Sequence, residues 1–349
     1  MSVEDAVRAA ETYVAATTTL ADESFWPLIM FTNTNLFMWH IEAFKASRDP
    51  VQAFVEIFDR ATAFLDNAVD TGIAGGHFPK QPPAEQPRGD ERFISAMFSD
   101  VWVDLSDDVY FDETYDFIVQ RFARNGIDAA ELFADKVVAD AGCGSGKFAA
   151  GIARLGARRV IGLDIGERGL AFAREQAKKV PYGDRLEYHH GSAYDLPLED
   201  ASVDMVWSNG VVHLTDNYDG CIADFARVIK PGGRLYLYVN GRFGLFELLF
   251  DTLRRASVPV PRRLFQHFLL SVGINTGRVY WMMCAFYATY QWRAQTEVEA
   301  LLEREGFTDL RQLTRGMDFD QIEQVFAGIR YADIKYGEAQ LKYLARRAG

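Results

Sequence analysis

The 349 residues predict an α/β chain: a doubly wound, mostly parallel sheet, with helices before it and a helical insertion after its fifth strand. Three observations predict this. Beyond residue 133, short β-rich runs alternate with amphipathic stretches of helical spacing, the pattern of a parallel sheet covered on both faces. The first of those runs ends in a turn with glycine at every second position. The first 70 residues carry helical spacing and no strand pattern.

In chain order, residues 1–70 read as a helical segment. Asp49-Pro50 supplies an N-cap and a first-turn proline, and Val51, Phe54, Val55, Phe58, Phe64 and Leu65 follow at helical spacing. Residues 71–90 hold Gly72, Gly75, Gly76 and Gly89 with Pro79, Pro82, Pro83 and Pro87, which reads as a linker. Residues 91–134 form a helical cap leading into the core. Phe93, Ile94, Met97, Phe98, Val101 and Trp102 lie on one helical face, and a second helix runs from Asp112 to Arg124. The core, 135–241, has strands at Val137–Ala141, Arg159–Asp164, Arg185–His190, Val203–Ser208 and Arg234–Val239. Helices near Lys147–Leu155, Glu167–Lys179 and Tyr218–Ile229 fill the gaps. Residues 242–293 form an aromatic insertion. Residues 294–349 close the core with a helix at Thr296–Glu305 and strands at Thr308–Leu313 and Leu341–Arg346.

Composition narrows the function. Hydrophobic residues make up 49% and charged residues 25%, an ordinary globular balance. The net charge of −12 disfavours nucleic acid, whose affinity comes largely from Lys and Arg. Cys143, Cys221 and Cys284 are too few and too scattered for a disulfide framework or a CxxC metal site. Met1–Ala10 has acids and no apolar signal core. Phe25–Trp39 is interrupted by Pro27, Asn33 and Asn35, and Val279–Tyr290 falls short of the ~20 residues a membrane span needs. The expectation is a cytoplasmic protein with no membrane span. The aromatic content, 13%, exceeds what a bare nucleotide-binding domain requires.

The chemistry concentrates at Val137-Val-Ala-Asp-Ala-Gly-Cys-Gly-Ser-Gly-Lys147. A buried strand ends in an acid, then glycines at 142, 144 and 146 precede a helix. Glycine lets the backbone turn sharply and approach a ligand, and a helix start offers free N–H groups. The dinucleotide fingerprint is GxGxxG; here the rhythm is GxGxG, which argues against a nicotinamide-dependent oxidoreductase.

Asp140-Ala-Gly-Cys-Gly-Ser-Gly146 resembles motif I of the class I S-adenosylmethionine-dependent methyltransferases, with methyltransferase type 11-like motifs throughout. Four segments match in order: Val160–Ile165, Gly191–Pro197, Val203–His213 and Arg227–Leu235. The resemblance implies a Rossmann-like seven-stranded sheet and S-adenosylmethionine as cofactor, leaving S-adenosylhomocysteine as product. It implies that Asp140, Ala141, Gly142, Cys143, Gly144 and Gly146 surround the amino-acid end of the cofactor. Asp164, with Ile165 beside it, would hold the ribose hydroxyls, since a carboxylate only accepts and vicinal hydroxyls donate. Ser192 and Ala193 would edge the adenine. Many relatives have an aspartate at the position of Ser192, and Asp195 is an alternative acceptor. Ser208, Asn209 and Gly210 would floor the methionine portion.

His213, just past the fourth strand, is the candidate catalytic base and acceptor contact, because an unperturbed imidazole titrates near neutrality. A packing histidine is the alternative. His189 and His190 read as structural, and Cys143 as a small loop filler. Residues 104–116 carry six acids with Tyr110 and Tyr115. The tyrosines are candidate substrate contacts, while the acids read as a solvated helix start, a cation site or a magnesium site, in that order. The insertion, with Phe243, Phe246, Phe250, Phe265, Phe268, Trp281, Phe286 and Tyr287, reads as a lid or a homodimer contact. The expected partner is a small molecule, hydrophobic or aromatic if those rings line a chamber; rings that only glue cap to core are the rival. The function expected is methyl transfer to a small O or N acceptor, or to C. A non-catalytic cofactor-binding scaffold and an RNA methyltransferase are the alternatives.

Overall fold

The computed structural model describes residues 1–46, 48–70, 106–274 and 276–349. The linker at 71–90, the helical face from Phe93 to Trp102, and Asp104 lie outside the described residues. Seven strands form one sheet: β1 Val137–Ala141, β2 Arg159–Asp164, β3 Leu186–His190, β4 Val203–Asn209, β5 Ile229–Asn240, β6 Phe307–Gln312 and β7 Gln340–Arg347. Their order is β3-β2-β1-β4-β5-β7-β6. All neighbours are parallel except β7, which runs antiparallel to β5 and β6. The chain winds outward from β1 to β3, then returns to lay β4 on the other side of β1. That reversal opens a crevice at the carboxyl ends of β1 and β4, where open α/β sheets bind ligands.

The central strands are short apolar runs because both of their faces are covered. On one face Ala139, Ala141, Ile161, Val206, Leu235 and Leu237 pack with Cys221, Ile222 and Phe225 of helix Tyr218–Val228 and with Val298 and Leu302 of helix Gln295–Arg304. On the other, Val138, Val160, Met205, Trp207 and Tyr236 pack with Ile118 and Phe122 of helix Thr114–Arg124, Ile152 of helix Lys147–Arg154 and Leu170 of helix Glu167–Ala177. Trp207 stacks on Tyr236 with ring centroids 3.9 Å apart and planes 11° from parallel. Each such buried side chain contributes roughly 1.5–3 kcal/mol.

The described residues divide into two compact units. The sheet unit comprises 106–242, 290–329 and 338–349. The other comprises 1–70, 243–289 and 330–337. In that second unit Ser2 and Asp5 form a capping box at helix Val3–Thr19, and Asp49 caps helix Pro50–Asp70 through the Val51 N–H at 2.9 Å. The Phe25–Trp39 stretch, read as interrupted, is not broken at Pro27, Asn33 or Asn35: Phe25 ends a short 3-10 turn, Glu23–Phe25, and the rest lies in one unbroken helix, Trp26–Lys45. Pro27 lies in its first turn, where no N–H bond is lost. Asn33 is buried but satisfied: it accepts from the Tyr13 hydroxyl and donates to the Ser257 hydroxyl at 2.9 Å. Much of the aromatic excess packs on itself here. Phe265 stacks on Phe286 at 4.5 Å, Phe37 meets Phe286 and Trp281 edge-on, and Phe246 meets Phe250 at 4.2 Å. Among the described residues, no helix is long and apolar enough to cross a membrane.

Candidate functional site

The site grows from the loop between β1 and helix Lys147–Arg154. Gly142, Gly144 and Gly146 have φ of 81°, 55° and 82°, so all three occupy the left-handed region that side chains resist. Space is short as well. A Cβ on Gly142 would come within 2.4 Å of Val211, and one on Gly146 within 2.7 Å of the Tyr188 hydroxyl. The loop is laced to β2: the N–H groups of Gly142 and Cys143 both donate to the Leu163 carbonyl, at 2.8 and 3.0 Å.

Asp164, at the carboxyl end of β2, ties the neighbouring loops together. One carboxylate oxygen accepts from the Gly144 N–H at 2.9 Å, the other from the Gly166 N–H at 2.7 Å. Its main-chain carbonyl accepts from Gly191 at 3.0 Å. A carboxylate only accepts, the polarity that a pair of donating hydroxyls requires. Ile165 is half-buried next to it. Ser192 is half-buried and Ala193 buried in a tight turn, with the Asp195 N–H donating to the Ser192 carbonyl at 3.2 Å; Asp195 itself is exposed.

Burial dominates the electrostatics. The carboxyl of Asp140 is 2% exposed, and desolvation with Asp164 nearby pushes its pKa up to about 8, against the lowering effect of the Ala149 N–H. Burial also raises the Cys143 thiol well above its ordinary value, which suits a filler and not a nucleophile. Burial depresses Lys147 to about 8.

On the β4 side, the Asn209 side-chain oxygen accepts from Arg121 at 2.9 Å and from the Tyr236 hydroxyl at 3.3 Å. Arg121 is 2% exposed and also donates to Tyr236 at 2.7 Å. Behind it Asp320 pairs with Lys342 at 2.6 Å and lies 3.9 Å from Arg121. Gly210, with φ of 79°, abuts the Tyr238 ring. His213 is 3% exposed, and its ring stacks on Tyr290 at 5.4 Å, which stacks on Trp292 at 5.1 Å. The Nε2 of His213 lies 3.5 Å from the Asn240 amide. Desolvation lowers its pKa to about 3, so the imidazole is neutral.

Three buried polar atoms at the ends of these strands have no hydrogen-bond partner among the described residues: Asp140 Oδ2, Ser208 Oγ and His213 Nδ1. Such atoms are costly unless a ligand or solvent completes them. A polar ligand with a positive group near Asp140, vicinal hydroxyls at Asp164 and a chain lying along the glycine loop fits this donor and acceptor set. S-adenosylmethionine has that shape.

The remaining candidates fall elsewhere. Tyr110 is fully buried, with its hydroxyl on the Ser145 carbonyl at 2.7 Å. Tyr115 is half-buried, with the Arg154 guanidinium 4.2 Å above its ring. Of the acids near them, Asp107 pairs with Lys179 and Asp112 with Arg154. Among the described residues, no group of three ligating side chains could hold a metal. His189 and His190 are exposed, His189 beside Glu187 at 3.5 Å. The sequence reading gave no site role to Arg121, Tyr188, Asn240 or Trp292, and took Tyr290 only as one ring of the insertion. Only Tyr188 left a signal, as an inward position two residues after Leu186 on β3.

Residues 139–237 match the family model described as a methyltransferase domain. This stretch of the chain is thus similar to methyltransferase domains. Among relatives, the chain is 30% identical over 162 residues to the 27-O-demethylrifamycin SV methyltransferase of Amycolatopsis mediterranei, covering 45% of this chain and 59% of that protein. It is 32% identical over 117 residues to the methyltransferase GfsG of Streptomyces halstedii, covering 33% and 42%. The chain thus spans about half the length of these curated relatives. A solved S-adenosylmethionine-dependent methyltransferase from Mesorhizobium loti is 19% identical, covering 67% of this chain and all of that one, with a TM-score of 0.45.

Proposed function

We propose that the chain binds S-adenosylmethionine and transfers its methyl group to a small organic acceptor, at oxygen or nitrogen in preference to carbon. The carrying observation is the carboxylate of Asp164, fixed by two backbone N–H groups beside a loop of three left-handed glycines. When bound, the cofactor supplies a methyl group on a sulfonium, already a strong electrophile. The chain's part is to hold and align, since proximity accounts for most of the rate in such a transfer. Asp164 orients the ribose, Ser192 and Ala193 border the adenine, and Asn209, locked by Arg121, floors the amino-acid arm.

His213 is the candidate proton holder for the acceptor. Buried and neutral, it faces the Asn240 amide N–H with Nε2, so the ring proton lies on Nδ1 and Nε2 is the basic atom. A pKa of about 3 makes it a weak base alone, so it takes a proton only as the acceptor gains compensating negative charge. The relatives whose names specify a small-molecule product chemistry support a small acceptor here. The aromatic wall of Tyr238, Tyr290 and Trp292 supports one with a flat or apolar face.

Calorimetry with S-adenosylmethionine, followed by turnover against a panel of phenols, amines and hydroxylated polyketides, tests the reading. Saturable binding is expected; no heat at millimolar cofactor would overturn it. The scaffold alternative predicts binding without turnover on any acceptor. His213→Asn should leave cofactor affinity unchanged and slow turnover by about 10²–10⁴-fold. A loss under tenfold would remove His213 from that role.

A further inference from the structure

The loop that carries the site is braced from behind by two phenols. The peptide between Ser145 and Gly146 is pinned at both ends. Its carbonyl accepts from the Tyr110 hydroxyl at 2.7 Å, and its N–H donates to the Cys143 carbonyl at 2.9 Å. Ser145 stands between two left-handed glycines, which offer no Cβ to resist rotation of that peptide. The orientation of the loop therefore rests on such anchors. Tyr188 adds a second one. Its hydroxyl donates to the Gly146 carbonyl at 3.5 Å, and its ring fills the space that a Cβ on Gly146 or Gly162 would need.

Tyr110 is suited to a fixed donor role. It is fully buried, and burial raises its pKa far above the ordinary phenol value, so the proton stays on the oxygen. The ring is wedged edge-on between Phe111 at 4.7 Å and Phe172 at 5.9 Å. It sits on a six-residue π-helical stretch, Asp108–Glu113, a wider turn than an α-helix and a departure from regular geometry at this point of the chain.

We propose that Tyr110 is a positioning residue. By clamping the Ser145 carbonyl it holds the 142–146 loop in the form that receives the amino-acid end of the cofactor. The inference rests on the reading of this loop as the S-adenosylmethionine site. It also predicts a selectivity that a general packing role would not produce. S-adenosylhomocysteine carries the amino-acid end, whereas 5′-methylthioadenosine keeps the adenosine and thioether and lacks that end.

The test is calorimetry of both ligands on the full chain, wild type and Tyr110→Phe, with urea unfolding alongside. Tyr110→Phe removes the bond to Ser145, together with the hydroxyl's bond to Tyr188, at nearly constant volume. The expected result is a roughly tenfold rise in Kd for S-adenosylhomocysteine with less than a twofold change for 5′-methylthioadenosine. Equal changes for the two ligands, or none for either, would overturn the positioning role. Failure of the wild type to bind S-adenosylhomocysteine overturns the cofactor reading itself, which is a different outcome. Should Tyr110→Phe lose its unfolding transition, Tyr188→Phe provides the same comparison. It removes the long bond to Gly146 and the hydroxyl's bond to Tyr110 while leaving Tyr110 on Ser145, and a smaller shift in the same direction is expected; no selective shift counts against the proposal.

Discussion

Asp140 is a carboxyl whose protonation should report ligand binding. Its pKa of about 8 in the folded chain stands above the 3.8 of an ordinary aspartate, because burial disfavours the charge and Asp164 adds repulsion. At pH 7 about nine-tenths of the molecules then hold the proton. A cofactor ammonium placed nearby favours the charged form, so binding at pH 7 should release close to one proton, and at pH 9 only about a tenth. The assay is calorimetry at pH 7 in buffers of differing ionisation enthalpy: the slope of observed heat against buffer enthalpy counts protons. The same shift acts on folding. Since the folded pKa is the higher one, its contribution is complete below pH 3.8 and is lost as pH rises toward 8. Between pH 6.5 and 8 this one contribution should fall by up to about 1.4 kcal/mol per pH unit, opposed in the whole chain by Lys147 and Lys342, whose folded pKa values of about 8 lie below 10.5, and near pH 6.5 by the buried histidines. Asp140→Asn should abolish both the proton release and that slope while weakening cofactor binding. A heat independent of buffer at pH 7, or proton release surviving in Asp140→Asn, would refute the reasoning.

Other outcomes follow from the same structure. Asp164→Ala should weaken cofactor binding at least tenfold by calorimetry; unchanged affinity would mean that the ribose lies elsewhere. Gly146→Ala adds a clash with Tyr188 and Ala173 to an unfavourable φ of 82°, whereas Gly328→Ala, at φ of 66° with open space around it, incurs only the backbone term. Chemical unfolding should show roughly 1–2 kcal/mol lost for Gly328→Ala and a further ~1–3 kcal/mol for Gly146→Ala; equal losses would deny the close packing. His40 and His213 both have folded pKa values lowered by burial to about 3, below the ordinary 6.5. Their stabilising contribution is therefore complete above pH 6.5 and is lost as pH falls toward 3, so replacing either by Gln should flatten urea-derived stability between pH 6.5 and 4.

The parts of the fold legible in the sequence were those with a local cause. Val137–Ala141 and Arg159–Asp164 are short apolar runs because both faces of those strands are covered, and the glycine at every second position of 142–146 matches three left-handed residues one for one. Helix Trp26–Lys45 was obscured because burial on several sides removes the apolar stripe that marks a helix, and because a satisfied Asn33 looks like a polar break. The Arg121–Asn209–Tyr236 network and its Asp320–Lys342 neighbour could not be read at all. Arg121 meets a partner 88 residues away, and Lys342 stands in a strand where the local pattern gives no reason for a charge. The bracing of the Ser145 peptide was hidden for the same reason: Tyr110 reaches 35 residues along the chain to a backbone atom, which carries no sequence signature.

The unit made from residues 1–70, 243–289 and 330–337 has a consequence for how the chain is made. Its first three helices leave the ribosome long before their partners exist. Helix Val3–Thr19 waits for Arg255, which its Glu11 grips at 2.6 Å, and Asn33 waits for Ser257. Roughly 170 residues separate the two stretches, so at about 5–20 residues per second the early helices stand alone for about ten to thirty-five seconds. Throughout that interval Phe37, destined for full burial, lacks Trp281 and Phe286, which meet it edge-on in the folded unit. The sheet unit, whose central strands lie within 137–240, can complete most of its pairing before the later stretch of this unit emerges.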